Sequence, residues 1–320
     1  MSGESLRYED RPYGHALKRL GRRHRRLVVV DADLQRATET DLFQASFPDR
    51  YFDVGIAEAD MVGISVGLAL SGKTVFCGTF ASFVSQRAAD QAFVSVAYCR
   101  ADVKLVGVEP GLSSGRNGAS HQALADLGIM RSFPGMTVCD PGDAVETVAV
   151  MEWLAAHPGP AYMRAPRGRT PVVHGGGPLT LRPGRAIPLR RGKDAAVFAC
   201  GIMLPRALEA VDALRGQGID VGLYSMPFVK PIDEEAVLGA AMETGCIVTA
   251  ENHSVLGGLG GAVAEIVTSC HPVPVIRIGI RDSFGQVGDL DWLARQYAMD
   301  TESIMKAVKT AMKKKVDRKS

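Results

Sequence analysis

The chain has 320 residues, 46% hydrophobic and 22% charged, with a formal net charge of +2. This is an ordinary globular composition, long enough for two domains with sizeable cores. The near-neutral charge argues against broad attraction to nucleic acid or a membrane surface. Cys77, Cys99, Cys139, Cys200, Cys246 and Cys270 are widely spaced without a CxxC. That suits reduced thiols in a cytoplasmic protein and argues against a disulfide frame or zinc site. No secretory signal is expected, and the apolar run Met61 to Leu70 is too short to span a bilayer.

In chain order, residues 1 to 12 are polar and read as an arm, and Tyr13 to Leu20 as the end of a helix closed near Gly21. The basic run Lys18 to Arg26 reads as a solvated loop. Leu27 to Val30 is a continuous apolar run, the mark of a buried parallel strand. It ends in Asp31-Ala32-Asp33-Leu34, where open α/β sheets bind ligands. Tyr51 to Val54 is a short strand, Gly55 to Glu58 a turn, and Asp60 onward a tightly buried helix. Strands follow at Thr74 to Cys77, Val103 to Val108, Met136 to Cys139 and Ala161 to Arg164. Helices are expected from Phe83 to Tyr98, His121 to Met130 and Asp143 to Ala156. Pro171 to Pro188 loses periodicity and reads as a linker. A second unit repeats the alternation with strands at Ala195, Val221, Cys246 and Val275, each run followed by a helix. Two short helices and a solvated Lys313-Lys314-Lys315 tail close the chain. This βαβα order predicts two mostly parallel sheets with helices on both faces.

Glu58 stands out as a lone carboxylate between Ile56-Ala57 and the Met61 to Leu70 block. A buried carboxylate costs several kcal/mol unless paired or protonated. Glu58 is therefore either turned outward at a helix start, where the dipole favours it, or kept inside for chemistry. Phe80 and Phe83 are either core packing or an aromatic wall for a flat heterocycle. The loop GLSSGRNG is neither GxGxxG nor GxxxxGK[ST], and His121 opens the segment after it. Glu251-Asn252-His253 reads as structural or interfacial. HExxH, GxSxG and the GDG-plus-asparagine motif that holds diphosphate and metal in thiamine enzymes are all missing.

Six stretches together resemble the C-terminal half of transketolase over nearly the whole chain. They are DADL (31–34), FPDRYFDVGIAEADMVGISVGLAL (47–70), GTFASFVSQRAADQ (78–91), GLSSGRNGASHQALADLGIMRSFPGMTVCDPGDA (111–144), YMRAPRG (162–168) and VTAENHSVLGGLGGAVAEI (248–266). Some organisms carry transketolase as two polypeptides, and this chain is similar to the second. The resemblance implies two doubly wound α/β domains, a pyrimidine-binding domain over residues 1–180 and a transketolase C-terminal domain over residues 181–320. It implies transfer of a two-carbon ketol unit from a ketose to an aldose with thiamine diphosphate. In the family, the glutamate that Glu58 matches hydrogen-bonds N1′ of the aminopyrimidine and so activates the cofactor. Phe80 and Phe83 match the residues that pack on that ring, and Asp33 and Leu34 match positions near the cofactor. His121, Arg11, Arg164 and Asn117 match substrate-contacting positions, the two arginines at the sugar phosphate.

Several positions depart from the family pattern. Ala37 stands where a phosphate-contacting serine is common, and Glu109 where a histidine is usual. Asn117 replaces an aspartate that reads a sugar hydroxyl, and Ala89 stands where split forms often have tyrosine. These departures imply a modified sugar or sugar-phosphate substrate. The missing diphosphate motif implies an N-terminal-half partner in an α2β2 heterotetramer, with Mg2+ or Ca2+ held mainly by that partner. An apolar cofactor interface suggests that this chain also self-dimerises. Three rival readings share the fold: the β subunit of a 2-oxo acid dehydrogenase E1 component, 1-deoxyxylulose 5-phosphate synthase, and a non-catalytic partner subunit.

Overall fold

Uninterrupted aliphatic runs place the strands, and the computed structural model describes residues 7–175, 177 and 179–317. The first eight strands are β1 (Tyr8–Asp10), β2 (Leu27–Asp31), β3 (Tyr51–Asp53), β4 (Thr74–Phe80), β5 (Val103–Val108), β6 (Thr137–Cys139), β7 (Ala161–Ala165) and β8 (Arg169–Pro171). The rest are β9 (Ile187–Arg190), β10 (Ala195–Ala199), β11 (Val221–Ser225), β12 (Phe228–Lys230), β13 (Ile247–Ser254) and β14 (Val275–Ile280). A seven-stranded sheet has the order β12-β6-β7-β5-β4-β2-β3, and a five-stranded sheet the order β14-β13-β10-β11-β9. Both are parallel except at one edge, where β12 runs against β6 and β9 against β11. Every residue of β2, β5, β7 and β10 is buried, as strands covered on both faces by helices must be. The chain is thus α/β, two doubly wound sheets.

Some elements differ from the sequence reading. Tyr8–Asp10, read as part of an arm, pairs antiparallel with Arg169–Pro171, which reaches into the stretch read as a linker. Residues 1–6 of that arm, and Gly176 and Pro178 of that linker, lie outside the described residues. The first helix is Pro12–Arg23, and Gly21 lies within it, because a Cβ there would meet Phe43 and Phe47 at 2.6 and 2.5 Å. The helix expected from His121 starts at Asp126. The final helix runs Thr301–Asp317, so the lysine tail is helical through Lys315. Helix Glu58–Leu70 is buried on one side only, with Gly63, Ile64, Gly67 and Leu70 exposed. The segment after Phe83 reaches Tyr98 as predicted, but Phe83–Arg87 and Ala92–Tyr98 are wound as π-helix. Among the described residues, no helix is long and apolar enough to cross a membrane.

Glu251-Asn252-His253 lies on β13 and joins the two sheets. Glu251 accepts from the N–H groups of Leu259 (2.7 Å) and Gly260 (2.8 Å) at the start of helix Leu259–Cys270. The Asn252 amide bridges back to the first sheet, accepting from Leu112 N–H and donating to Pro110 O, both at 2.9 Å. Burial pushes the Glu251 carboxyl up to about 7 and the His253 imidazole down to about 4. The two titrate in opposite senses. A carboxyl with a raised folded pKa stabilises fully below about pH 4.5 and loses that contribution as pH rises through about 7. A histidine with a depressed folded pKa contributes above about pH 6.5 and loses it as pH falls through about 4. Glu251→Gln removes the first effect; His253 Nδ1 lies 3.7 Å from Glu251 Oε2, so the comparison is made above about pH 5, where the buried imidazole is already neutral. Whatever constant cost the amide brings, the variant gains stability relative to the wild type as pH rises from about 5 to 8, by on the order of 3 kcal/mol. Urea midpoints at the two pH values measure this, and a pH-independent difference would refute it.

Candidate active site

Strands β2, β4 and β5 are adjacent and parallel, so their carboxyl ends open on one edge of the sheet, where such folds bind ligands. β4 delivers Phe80 to that edge, and Phe83 opens the π-wound turn that follows. Wide turns of this kind recur at functional sites. His121 comes from the loop after β5 and meets both rings. Centroid distances are 5.6 Å for Phe80–Phe83, 5.2 Å for Phe80–His121 and 4.9 Å for Phe83–His121, all edge-to-face. Three residues singled out from two separate stretches therefore form one aromatic corner.

Glu58 is the first residue of its helix and is 5% exposed. Of the two alternatives left open by the sequence, it takes the inward one. Its surround is not purely apolar, however. Arg87 Nη1 donates to Glu58 Oε1 at 3.1 Å, and the same guanidinium lies 3.9 Å from the centre of the Phe83 ring. The sequence reading missed Arg87. Its one signal was the four-residue spacing from Phe83, which puts two residues on one face only in an ordinary α-helix.

Asp33 and Leu34 follow β2 beside this corner. Asp33 is exposed at φ 61°, and its N–H donates to Asp53 Oδ1 at 3.0 Å. Gly55 N–H donates to the same oxygen at 3.0 Å, tying the ends of β2 and β3 together. Leu34 N–H donates to Asp31 Oδ1 at 2.6 Å, and Leu34 and Phe83 pack against the same core cluster, which holds Phe80. Burial pushes the Asp31 carboxyl up, offset in part by hydrogen bonds from Thr38, Leu34 and Thr40.

The other substrate candidates are dispersed. Asn117 is exposed on the glycine-rich loop. Glu109 holds φ 49° and accepts from Arg167 Nη1 at 3.0 Å, so its charge is partnered. Glu109 lines a cleft of about 810 Å³ that includes neither Glu58 nor Phe83. The Arg11 side chain is paired with Asp41. Arg164 borders the same cleft as Glu109 but is 1% exposed, and each of its N–H groups has a partner within the protein. Its Nε and Nη2 donate to Asp126 at 2.7 and 2.6 Å, and its Nη1 donates to Asp140 at 3.2 Å and Asn252 O at 3.1 Å. Nη2 also reaches Ala123 O at 3.4 Å. Burial pushes the Asp126 carboxyl up, but the Arg164 charge outweighs this and holds it below its ordinary value.

Residues 11–172 match the family model "Transketolase, pyrimidine binding domain", and residues 184–304 match "Transketolase, C-terminal domain". The chain belongs to the transketolase family. It is 43% identical over 291 residues to the "6-deoxy-6-sulfo-D-fructose transketolase subunit SqwH" of Clostridium sp. (strain MSTE9), covering 91% of this chain and 90% of the relative. It is 38% identical over 299 residues to a subunit of the apulose-4-phosphate transketolase of Phocaeicola vulgatus, covering 93% and 95%. A solved structure described as "Split gene transketolase, inactive beta4 tetramer" superposes with a TM-score of 0.86 at 39% identity, covering 95% of this chain and 97% of that one. The chain is therefore a transferase-type subunit of the split transketolase kind.

The buried network generates a stability prediction. Arg164→Met leaves Asp126 and Asp140 as uncompensated buried carboxylates and costs about 3–5 kcal/mol. Chemical denaturation reads this. A variant of wild-type stability that only raised the KM for a phosphorylated sugar would instead make Arg164 a phosphate ligand.

Proposed function

We propose that this chain is the C-terminal-half subunit of a thiamine-diphosphate-dependent transketolase, moving a two-carbon ketol unit from a ketose to an aldose together with an N-terminal-half partner. The observation that carries this reading is that one planar guanidinium, Arg87, touches both the buried Glu58 carboxylate and the Phe83 ring. A site that already takes a flat, nitrogen-edged group on that ring and that carboxylate fits an aminopyrimidine. When bound, thiamine diphosphate supplies the nucleophilic carbon that receives the two-carbon unit. Glu58 holds and releases a proton at its carboxyl oxygen against the pyrimidine edge. Phe83 and Phe80 orient the ring and exclude water from its face. Asp33 and Leu34 border the cofactor from the end of β2. His121, at the edge of both phenylalanines, contacts the sugar.

The half-site for the diphosphate comes from the partner, which holds Mg2+ or Ca2+, in an α2β2 assembly in the cytoplasm. Support for a split enzyme comes from the missing diphosphate motif and from relatives named as subunits. Support for self-association comes from the exposed apolar side chains on helix Glu58–Leu70 and the π-wound segment, Ile64, Phe93, Val94 and Tyr98. The solved relative is described as a β4 tetramer. The substrate departs from the ordinary pentose phosphates, since Glu109 and Asn117 replace family residues and Arg164 is locked inside. The names of the two relatives, which carry a sulfo-deoxy sugar and apulose 4-phosphate, support this direction.

With its partner, the chain binds thiamine diphosphate and Mg2+ in calorimetric titration; alone it does not. Tight binding by the lone chain would remove the half-site argument. In the complex, Glu58→Gln lowers kcat about 100-fold or more with little change in KM. Unchanged turnover would make this a non-catalytic subunit. Ordinary pentose phosphates are transferred with a lower kcat/KM than a terminally modified sugar, and equal values would count against the substrate assignment.

A further inference from the structure

We infer that Arg87 is a built-in occupant of the aminopyrimidine seat: it closes the cofactor site of this chain and is displaced when the cofactor enters. The inference rests on the cofactor reading above. A guanidinium and an aminopyrimidine are both flat and edged with nitrogen. Each offers a face for stacking and a nitrogen edge that meets the Glu58 carboxyl, the guanidinium donating to the carboxylate and the pyrimidine ring nitrogen accepting from the protonated acid. Arg87 meets both at once, 3.9 Å from the Phe83 ring centre and 3.1 Å from Glu58 Oε1. Two planar groups cannot cover one face of one ring, and Phe83's other ring neighbours are Phe80 and His121. An aminopyrimidine on the face that Arg87 covers, within reach of Glu58, therefore excludes Arg87.

The contact is also built to be broken. Arg87 is half exposed, with 54% of its side chain open to solvent, while Glu58 is 5% exposed. Among the described residues, the Arg87 guanidinium has Glu58 and Phe83 as its partners. It can swing into water without disturbing the fold. A half-exposed ion pair plus one cation–π contact is a weak competitor, which lowers apparent affinity by about 10-fold without blocking the site. Meanwhile the buried Glu58 carboxyl keeps a partner until the cofactor enters. Arg87 is thus a positioning residue for Glu58, acting by competition for one seat.

The test uses the complex with the N-terminal-half partner and Mg2+. Thiamine diphosphate is titrated calorimetrically into wild type, Arg87→Ala and Arg87→Gln, and association is timed by stopped flow. Both variants should bind about 10-fold tighter and associate faster. The gain should be confined to ligands with the aminopyrimidine. A thiazolium diphosphate lacking that ring, whose seat Arg87 does not contest, should bind wild type and variants alike. Equal or weaker binding of thiamine diphosphate by the variants overturns the inference, and weaker binding would make Arg87 a cofactor ligand. Equal tightening toward both ligands also overturns it, since that is a general charge effect. If the wild-type complex binds neither ligand, the cofactor reading itself falls and the inference falls with it.

Discussion

Arg164 carries a full positive charge with 1% of its side chain exposed, and the carboxylates of Asp126 and Asp140 compensate it from inside the protein. A charge in that position is tolerable only if every donor is satisfied, and here every donor is. The partners come from three separate places in the chain: the helix start at Asp126, the turn after β6, and the Asn252 carbonyl on β13. Asn252 uses its side-chain amide to hold the Pro110–Leu112 loop as well. One guanidinium and one amide thus fix the second sheet against the carboxyl ends of the first. That alignment positions the loop that carries His121.

The aromatic corner beside Glu58 is built differently. Glu58 gains its position from the start of a helix, where the dipole favours a carboxylate, and its burial from the strand ends around it. Phe83 and Arg87 sit on π-wound backbone, which displaces side chains from ordinary helical spacing. The result is a buried acid with a half-exposed partner, in contrast to Arg164, whose partners are all buried. The same pair type, arginine with carboxylate, serves structure in one place and exchange in the other. Exposure separates the two roles, because a solvated guanidinium gives up its contacts at small cost.

Much of the fold was legible because doubly covered parallel strands need unbroken apolar runs, and Leu27 to Val30 and Val103 to Val108 have them. The strands that were missed are Tyr8–Asp10, Arg169–Pro171, Ile187–Arg190 and Phe228–Lys230. All are three or four residues long, and all lie at a sheet edge or in the two-stranded ribbon. Sequences such as YED and RTP carry no strand pattern, and they become strands by pairing with backbone already in place. Phe228–Lys230 shows this most plainly: it follows a strand of the second sheet in the chain yet joins the first, opposite Cys139 and Val138.

By itself the sequence determined the two α/β units, the family, and the residue types at the corner: an acid, two phenylalanines and a histidine in ordered motifs. These are local properties, since apolar runs, turn residues and short motifs need no knowledge of what packs across from them. The tertiary structure alone decided which charges meet. It surrounded Arg164 with Asp126 and Asp140, and it gave Glu109 a counter-charge in Arg167. It also brought Arg87 onto Phe83 and Glu58 across 29 residues of chain. Electrostatic partnership falls off within a few ångströms, so it is set by distances that only the folded chain defines.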